Sequence, residues 1–336
     1  MKLNILLVSL LGIFLCTGAF SQIPSFSITK TYPIKSPGGW DYIAVNNHKI
    51  YTSHSTQVNI LDENSGDSVG FIPGTTGVHG IAFCNELQKG YTSNGRLNNV
   101  FVFDLLTHQV LKTIATGGNP DAITYESFSK KIITCNGRGK SLSVIDPIKD
   151  VIIATIDLGA KPEEAASNGK GKLYVNLEDK NEIAEIDMKT FTVLNRWSIA
   201  PGESASGLAY DKKTDRLFAV CENKMMIVVN AANGKVITSL PIGEGCDGVV
   251  FDEEENLAFA SCGEGNITVV KEKNANSFAV VQNIKTKPSA RTIAIDPANH
   301  TLFLPAAEVE PEDPNAAPNT RRKIVPGSFQ VLVVEQ

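Results

Sequence analysis

Short apolar runs, alternating with polar residues by two, recur along almost the whole chain. Seven of them align as DYIAV from Asp41, HGIAF from His79, DAITY from Asp121, EEAAS from Glu163, SGLAY from Ser206, DGVVF from Asp247 and RTIAI from Arg291, with starts 38, 42, 42, 43, 41 and 44 residues apart. Behind each comes a polar turn and a second run: KIYTSH, KGYTSN, KIITCN, KLYVNL, RLFAVC, LAFASC and TLFLPA. Most repeats add a third run such as NVFVFD, SLSVID or EIAEID, and a fourth such as VLKTIA or KVITSLPI. Spacing by two marks β-strands, whereas a helical solenoid of similar period would show apolar spacing of three and four. Four short strands per repeat, with turn residues between them, predict propeller blades.

The ends of the chain support the same reading. The last repeat reaches its third strand in SFQVLVV (Ser328 to Val334) and stops one strand short, while FSITKTYPI (Phe26 to Ile34) precedes the first inner strand without a blade of its own. Pairing the two would close the ring and remove two exposed edges. The expected fold is therefore an all-β, seven-bladed β-propeller whose N-terminal strand pairs with the C-terminal blade. One excursion breaks the repeat: residues 306–327, AAEVEPEDPNAAPNTRRKIVPG, lie between strands two and three of the last blade. Long loops of this kind often carry function. It should emerge on the face called the top here, fold over part of the channel mouth, and bring Glu308, Glu310, Glu312, Arg321, Arg322 and Lys323 to its rim.

Met1 and Lys2, followed by the apolar stretch Leu3 to Phe14, have the layout of a secretory signal too short to span a bilayer. Small residues around Phe20 predict cleavage after Ser21, which makes residues 1–21 a signal peptide and 22–336 a single propeller domain. A lipid anchor at Cys16 is disfavoured by Leu15 before it. The implied location is periplasmic or extracellular, with no transmembrane segment in the mature chain. A net charge of −5 argues against nonspecific nucleic-acid binding, which depends on neutralising phosphates. The five cysteines beyond Cys16 contain no CxxC pair, which removes zinc-ribbon and thioredoxin-like readings.

In a four-stranded blade the first strand lines the channel, and loops alternate between top and bottom. Column one of the repeat then forms a ring at the top mouth: Asp41, His79, Asp121, Glu163, Ser206, Asp247 and Arg291. Trp40, His54, Arg96 and Arg138 complete the candidate binding set. Such a ring can stay wet without a metal, because two like charges about 10 Å apart in water repel by only about 0.4 kcal/mol. No cofactor is implied, although His54, His79, Asp121 and Glu163 are the candidates should a divalent ion bind. His48, His108 and His300 fall in bottom turns and read as solvated. Asp62, Asp104, Asp146 and Asp187 each end a third strand, where a carboxylate can accept from backbone N–H groups two residues on. A hairpin brings Cys246 near Cys262, and a disulfide there would close a loop worth roughly 3 kcal/mol in the chain-entropy model, but ideal register puts Cys246 opposite Gly263. NGRGKS (Asn136 to Ser141) lacks the first glycine and the helix of a phosphate loop. GESAS (Gly202 to Ser206) lacks the last glycine of a nucleophile elbow.

YTSNGRLNNVFVFD (Tyr91 to Asp104), ITCNGRGKSLSVID (Ile133 to Asp146) and the ending PAAEVEP…VPGSFQVLVV resemble the YVTN-repeat propellers, a family of YncE-like secreted bacterial proteins. The resemblance implies export and a binding role, with DNA binding suggested for some relatives; it brings no catalytic motif. The leading expectation is a secreted, non-catalytic propeller whose top face binds a small molecule, peptide, glycan or partner protein. A lactonase-like hydrolase with a channel-mouth metal, or with His79, Glu163 and Arg291, is the alternative. SARTIAIDPANHTLFLPAAE resembles seven-bladed lactonases, but their Arg-His pair is missing because Thr292 follows Arg291. A single-stranded DNA-binding propeller would use Arg96, Arg138, Lys140 and Arg291 with stacking on Trp40.

Overall fold

In the computed structural model, which describes residues 25–311 and 323–336, seven four-stranded antiparallel sheets are arranged as the blades of a β-propeller. The inner strands are Trp40–Asn46, Val78–Cys84, Pro120–Glu126, Pro162–Ser167, Ala205–Asp211, Cys246–Asp252 and Ala294–Asp296, one per blade. The seventh sheet runs in the order Ala294–Asp296, Thr301–Ala306, Gln330–Glu335, Ser27–Pro33. Tyr32 pairs with Val331 and Pro33 with Gln330, so the ring closes as the sequence predicts. The predicted signal peptide and its cleavage site lie outside the described residues.

Burial explains why the second and third runs of each repeat are almost continuously apolar. Their two faces pack against neighbouring blades: Ile133, Leu142, Val144, Leu173, Val175 and Ile186 form one cluster between the third and fourth blades. Outer strands have only one covered face, and Ser68–Pro73 alternates accordingly. Each fully buried aliphatic side chain contributes about 1.5–3 kcal/mol relative to exposure. The stability of the ring thus resides between the blades. Its hairpin turns use left-handed residues, such as Asn47 and His48 at φ 49° and 56° in the first blade, the backbone that two-residue type I′ turns require.

One regular feature was absent from the ideal register. In the first six blades the pairing of inner and second strands slips at column one, between Trp40 and Ile43, Val78 and Ile81, Pro120 and Ile123, Pro162 and Ala165, Ala205 and Leu208, and Cys246 and Gly248. A residue in such a bulge is left out of the ladder and its side chain is re-aimed. The slip also changes the cysteine geometry: Cys246 stands opposite Cys262 rather than Gly263. Both are buried free thiols, as are Cys84, Cys135 and Cys221. In the seventh blade the inner strand starts only at Ala294, so Arg291 reaches the mouth from the segment before it.

The stem of the 306–327 excursion is ordered by a small ladder. Val309 bridges Ile324, and Glu310 N–H donates to the Lys323 carbonyl at 2.7 Å. Glu312, Arg321 and Arg322 lie outside the described residues. None of the described stem residues lines the channel mouth.

Candidate functional site: the channel mouth

The bulges turn column one toward a common opening. Asp41, His79, Asp121, Glu163, Ser206, Asp247 and Arg291 line a cavity of about 520 Å³ together with Trp40, Arg96, Asn119, Lys161 and Glu178. Inner strands approach closely just below this rim. A Cβ at Gly248 would lie 3.1 Å from the Ile293 nitrogen, so the residue after Asp247 must stay small for the strands to meet.

A chain of charges crosses the mouth. Arg291 donates from Nε to Asp247 Oδ2 at 2.7 Å and from a terminal nitrogen to Asp41 Oδ1 at 3.0 Å. The other oxygen of Asp41 lies 2.5 Å from His79 Nδ1, and Asp121 Oδ1 is 3.5 Å from the same nitrogen. On the far side, Lys161 Nζ is 2.6 Å from Glu163 Oε1 and also bonds Glu178. Gly95 gives His79 its place, since a Cβ there would fall 2.6 Å from Nε2. Asp41, His79 and Asp121 can each offer one ligand atom, all within 4.8 Å of one another.

Burial and mutual repulsion move the acids away from ordinary carboxylate behaviour. Asp121 is pushed up to about 7, chiefly by burial and against the pull of His79. Glu163 is raised by burial and by Asp121, against Lys161, and Asp247 is raised by burial despite Arg291. Glu164, one residue deeper, is pushed up to about 8 by burial while accepting the Leu208 N–H at 3.0 Å. For His79, burial disfavours the charge, yet the bond to Asp41 and the field of Asp121 outweigh it and raise its pKa. The shifts at Asp121, Glu163, Glu164 and Asp247 thus all favour the protonated acid.

Not every predicted residue joins this set. His54 is fully buried, with Nδ1 2.6 Å from Ser36 Oγ and Nε2 2.9 Å from the Gly38 carbonyl. Its ring stacks on Phe329 at 3.9 Å, so its two nitrogens are engaged in holding the first blade to the segment before it. Burial correspondingly lowers its pKa. Trp40 lines the mouth but packs on Phe329 at 5.3 Å, which occupies part of its surface. Arg96 is at the rim, whereas Arg138 bonds Asn98 and Lys140 pairs with Asp179, both outside the lining. Of the basic groups named for a nucleic-acid path, Arg96 and Arg291 line the mouth and Arg138 and Lys140 do not.

The bottom face divides in the same way. Asp62, Asp104, Asp146 and Asp187 do accept backbone N–H groups two and three residues on. Of the three histidines read as solvated, only His48 is largely exposed; His300 Nδ1 bonds Asp252 at 2.6 Å, and His108 has a buried, unpartnered Nε2. The His300–Asp252 contact joins neighbouring blades, which a reading within one repeat cannot see. Lys161 and Glu178 were missed at the mouth, as was Glu164 in a separate cavity. Lys161 was traceable, because it stands two before column one, where other repeats carry Gly39, Gly77, Asn119, Ser204 or Gly245.

Fold and site together define a seven-bladed propeller with an acidic, cation-crossed mouth. A family model described as SdiA-regulated, a propeller-type domain, matches residues 193–304. Among solved structures, the chain is similar to Kuenenia stuttgartiensis hydrazine synthase, with a TM-score of 0.70 and 16% identity over 81% of this chain and 94% of that one. At that identity the likeness concerns the fold alone. No curated protein matches the chain in sequence. Among the described residues, no helix is long and apolar enough to cross a membrane.

Proposed function

We propose that the protein is an exported, non-catalytic binding propeller of the YVTN type, whose mouth captures a small cationic ligand, either a divalent ion or the amine of a peptide or metabolite. The observation that carries this reading is Asp121. Its carboxyl group is largely enclosed at the rim, and its nearest basic atom is His79 Nδ1 at 3.5 Å, which lies closer to Asp41. A cation seated beside Asp121 and Asp41 gains two carboxylates and displaces a proton. Binding a ligand of this kind draws on polar groups that the fold already holds in place.

Calorimetric titration with divalent ions and small primary amines, repeated in buffers of different ionisation enthalpy, tests the proposal. Binding should release protons, and Asp121→Asn should weaken it at least tenfold. Equal binding by the two proteins, or no binding by either, defeats the reading. Turnover of lactones or esters would favour a hydrolase instead. N-terminal sequencing of the exported protein should begin at Gln22.

A further inference from the structure

A second acidic cluster lies on the opposite face, at the seam where the first and seventh blades meet. His48, Glu63 and Asp296 each present one ligand atom there, all within 4.8 Å of one another. His48 occupies the two-residue turn between the first two strands of blade one, and Glu63 follows the turn residue Asp62. The backbone N–H of Glu63 donates to the His48 carbonyl at 3.0 Å, which fixes their spacing. Asp296 ends the inner strand of blade seven. The site is thus assembled only when the ring is closed.

Glu63 is the unusual member. In four other blades the same position holds an apolar residue, Leu105, Pro147, Met188 or Ala231, and packs inward. The side chain of Glu63 is only 3% exposed. Its Oε1 accepts the Asn299 amide at 3.2 Å, and Asn299 is itself oriented by the Thr301 N–H. Its Oε2 has no hydrogen-bond partner and lies 3.6 Å from His48 Nδ1. Asp296 uses Oδ1 to accept the Ala298 N–H at 3.0 Å. In the sixth blade the corresponding Glu272 is buried as well, with Thr214 and Arg216 opposing its burial; around Glu63 the Asn299 amide and His48 take that part, and the neighbouring Asp296 carboxyl works against them. A buried carboxylate without a matching cation is costly.

We propose that His48, Glu63 and Asp296 form a divalent metal site of the Zn²⁺ class that fastens the seam between the first and seventh blades. One imidazole and two carboxylates suit a borderline transition ion better than Mg²⁺ or Ca²⁺, which prefer all-oxygen sets. Ligand atoms around tetrahedral zinc stand about 3.3 Å apart, so the three groups must draw together slightly. His48, with its side chain 79% exposed, has the freedom to do so. Asn299 serves as the outer partner that aims Glu63, the role that hydrogen-bonded neighbours commonly play around metals.

The test is zinc titration of the chelator-stripped protein at pH 7, joined to an anomalous difference map collected at the zinc edge. A peak should lie between His48 Nδ1, Glu63 Oε2 and Asp296, and zinc should raise Tm more than calcium or magnesium does. His48→Gly, which accepts the positive φ of this turn and should fold, is expected to weaken that site at least tenfold, as is Glu63→Gln. Asp121→Asn should leave it unchanged, which separates this site from the mouth. No peak at the seam, unaltered affinity in His48→Gly, or a preference for calcium over zinc would overturn the proposal. So would a Tm gain in Glu63→Gln alone with no bound zinc, because the two carboxyls would then simply share a proton.

Discussion

The top and bottom of this propeller each carry a column of acids repeated from blade to blade, and the two columns behave in opposite ways. At the bottom, Asp62, Asp104 and Asp187 face water and accept two backbone N–H groups each, which lowers their pKa values. At the mouth, Asp121 and Glu163 are largely enclosed and Asp247 is partly so, and all three are raised chiefly by burial. Residue type is shared; the difference lies in donors and solvent. A carboxylate that receives N–H bonds in water is a turn-builder, whereas one that is buried beside other acids stores a proton and invites a cation.

Removing the cation that holds the mouth together should break the comparison most strongly. Among the described residues Arg291 alone bridges Asp41 and Asp247, and Arg291→Met leaves both without it. Breaking a fully buried pair costs about 3–5 kcal/mol. Because the Arg291 side chain is 36% exposed, solvent screening reduces the expected loss to about 2 kcal/mol. Urea denaturation measures it. Adding Asp247→Asn to Arg291→Met should recover part of the loss, and failure of the double variant to recover any would mean that Arg291 acts through packing rather than charge.

The pH dependence sharpens the contrast. A carboxyl whose folded pKa is raised binds more protons in the folded chain, so its burial becomes a growing cost as pH rises from about 4 toward about 7 for Asp121. His79, raised in the fold, adds stability below its unfolded value and loses it as pH rises through the folded one. The bottom aspartates, lowered in the fold, contribute above their unfolded value near 4 and lose that contribution in acid. The two faces therefore predict maximal stability at mildly acid pH, with Tm falling toward pH 8. Asp121→Asn removes one titration and should flatten the alkaline limb, gaining on the order of 1 kcal/mol at pH 8. An unchanged limb would place the responsible proton elsewhere.

The architecture was legible because strand period, turn residues and repeat length all recur, and no single residue had to be interpreted. Column one was legible as a ring for the same reason. What the ring does was less so. The bulge that aims it is a backbone event, and residues as different as Asp41, His79 and Ser206 occupy it. His54 reads as a ligand by composition, but its partners Ser36, Gly38 and Phe329 come from other parts of the chain. The seam cluster is hidden in the same manner, since Glu63 and Asp296 become neighbours only through ring closure. Glu63 did leave one trace, as one of two acids, with Glu272, in a column where four blades carry a buried apolar residue.

The smallest effect expected is at the bottom turns, and it distinguishes a carboxylate that builds structure from one that waits for a ligand. Asp146 Oδ1 accepts from Ile148 and Lys149 at 2.9 and 3.3 Å, and Lys131 lies 3.6 Å from its other oxygen. Asp146→Ala deletes both bonds and should cost about 1 kcal/mol, the scale of losing a side-chain cap. Asp146→Asn keeps an acceptor oxygen and should cost only a few tenths. Neither change should alter cation binding at the mouth. At Asp121 the order reverses, because there the asparagine variant stabilises the alkaline protein and loses the ligand. Thermal melts of the four proteins with and without the cation compare the two faces directly, and a bottom variant that weakened binding would show that the faces are coupled through the blade between them.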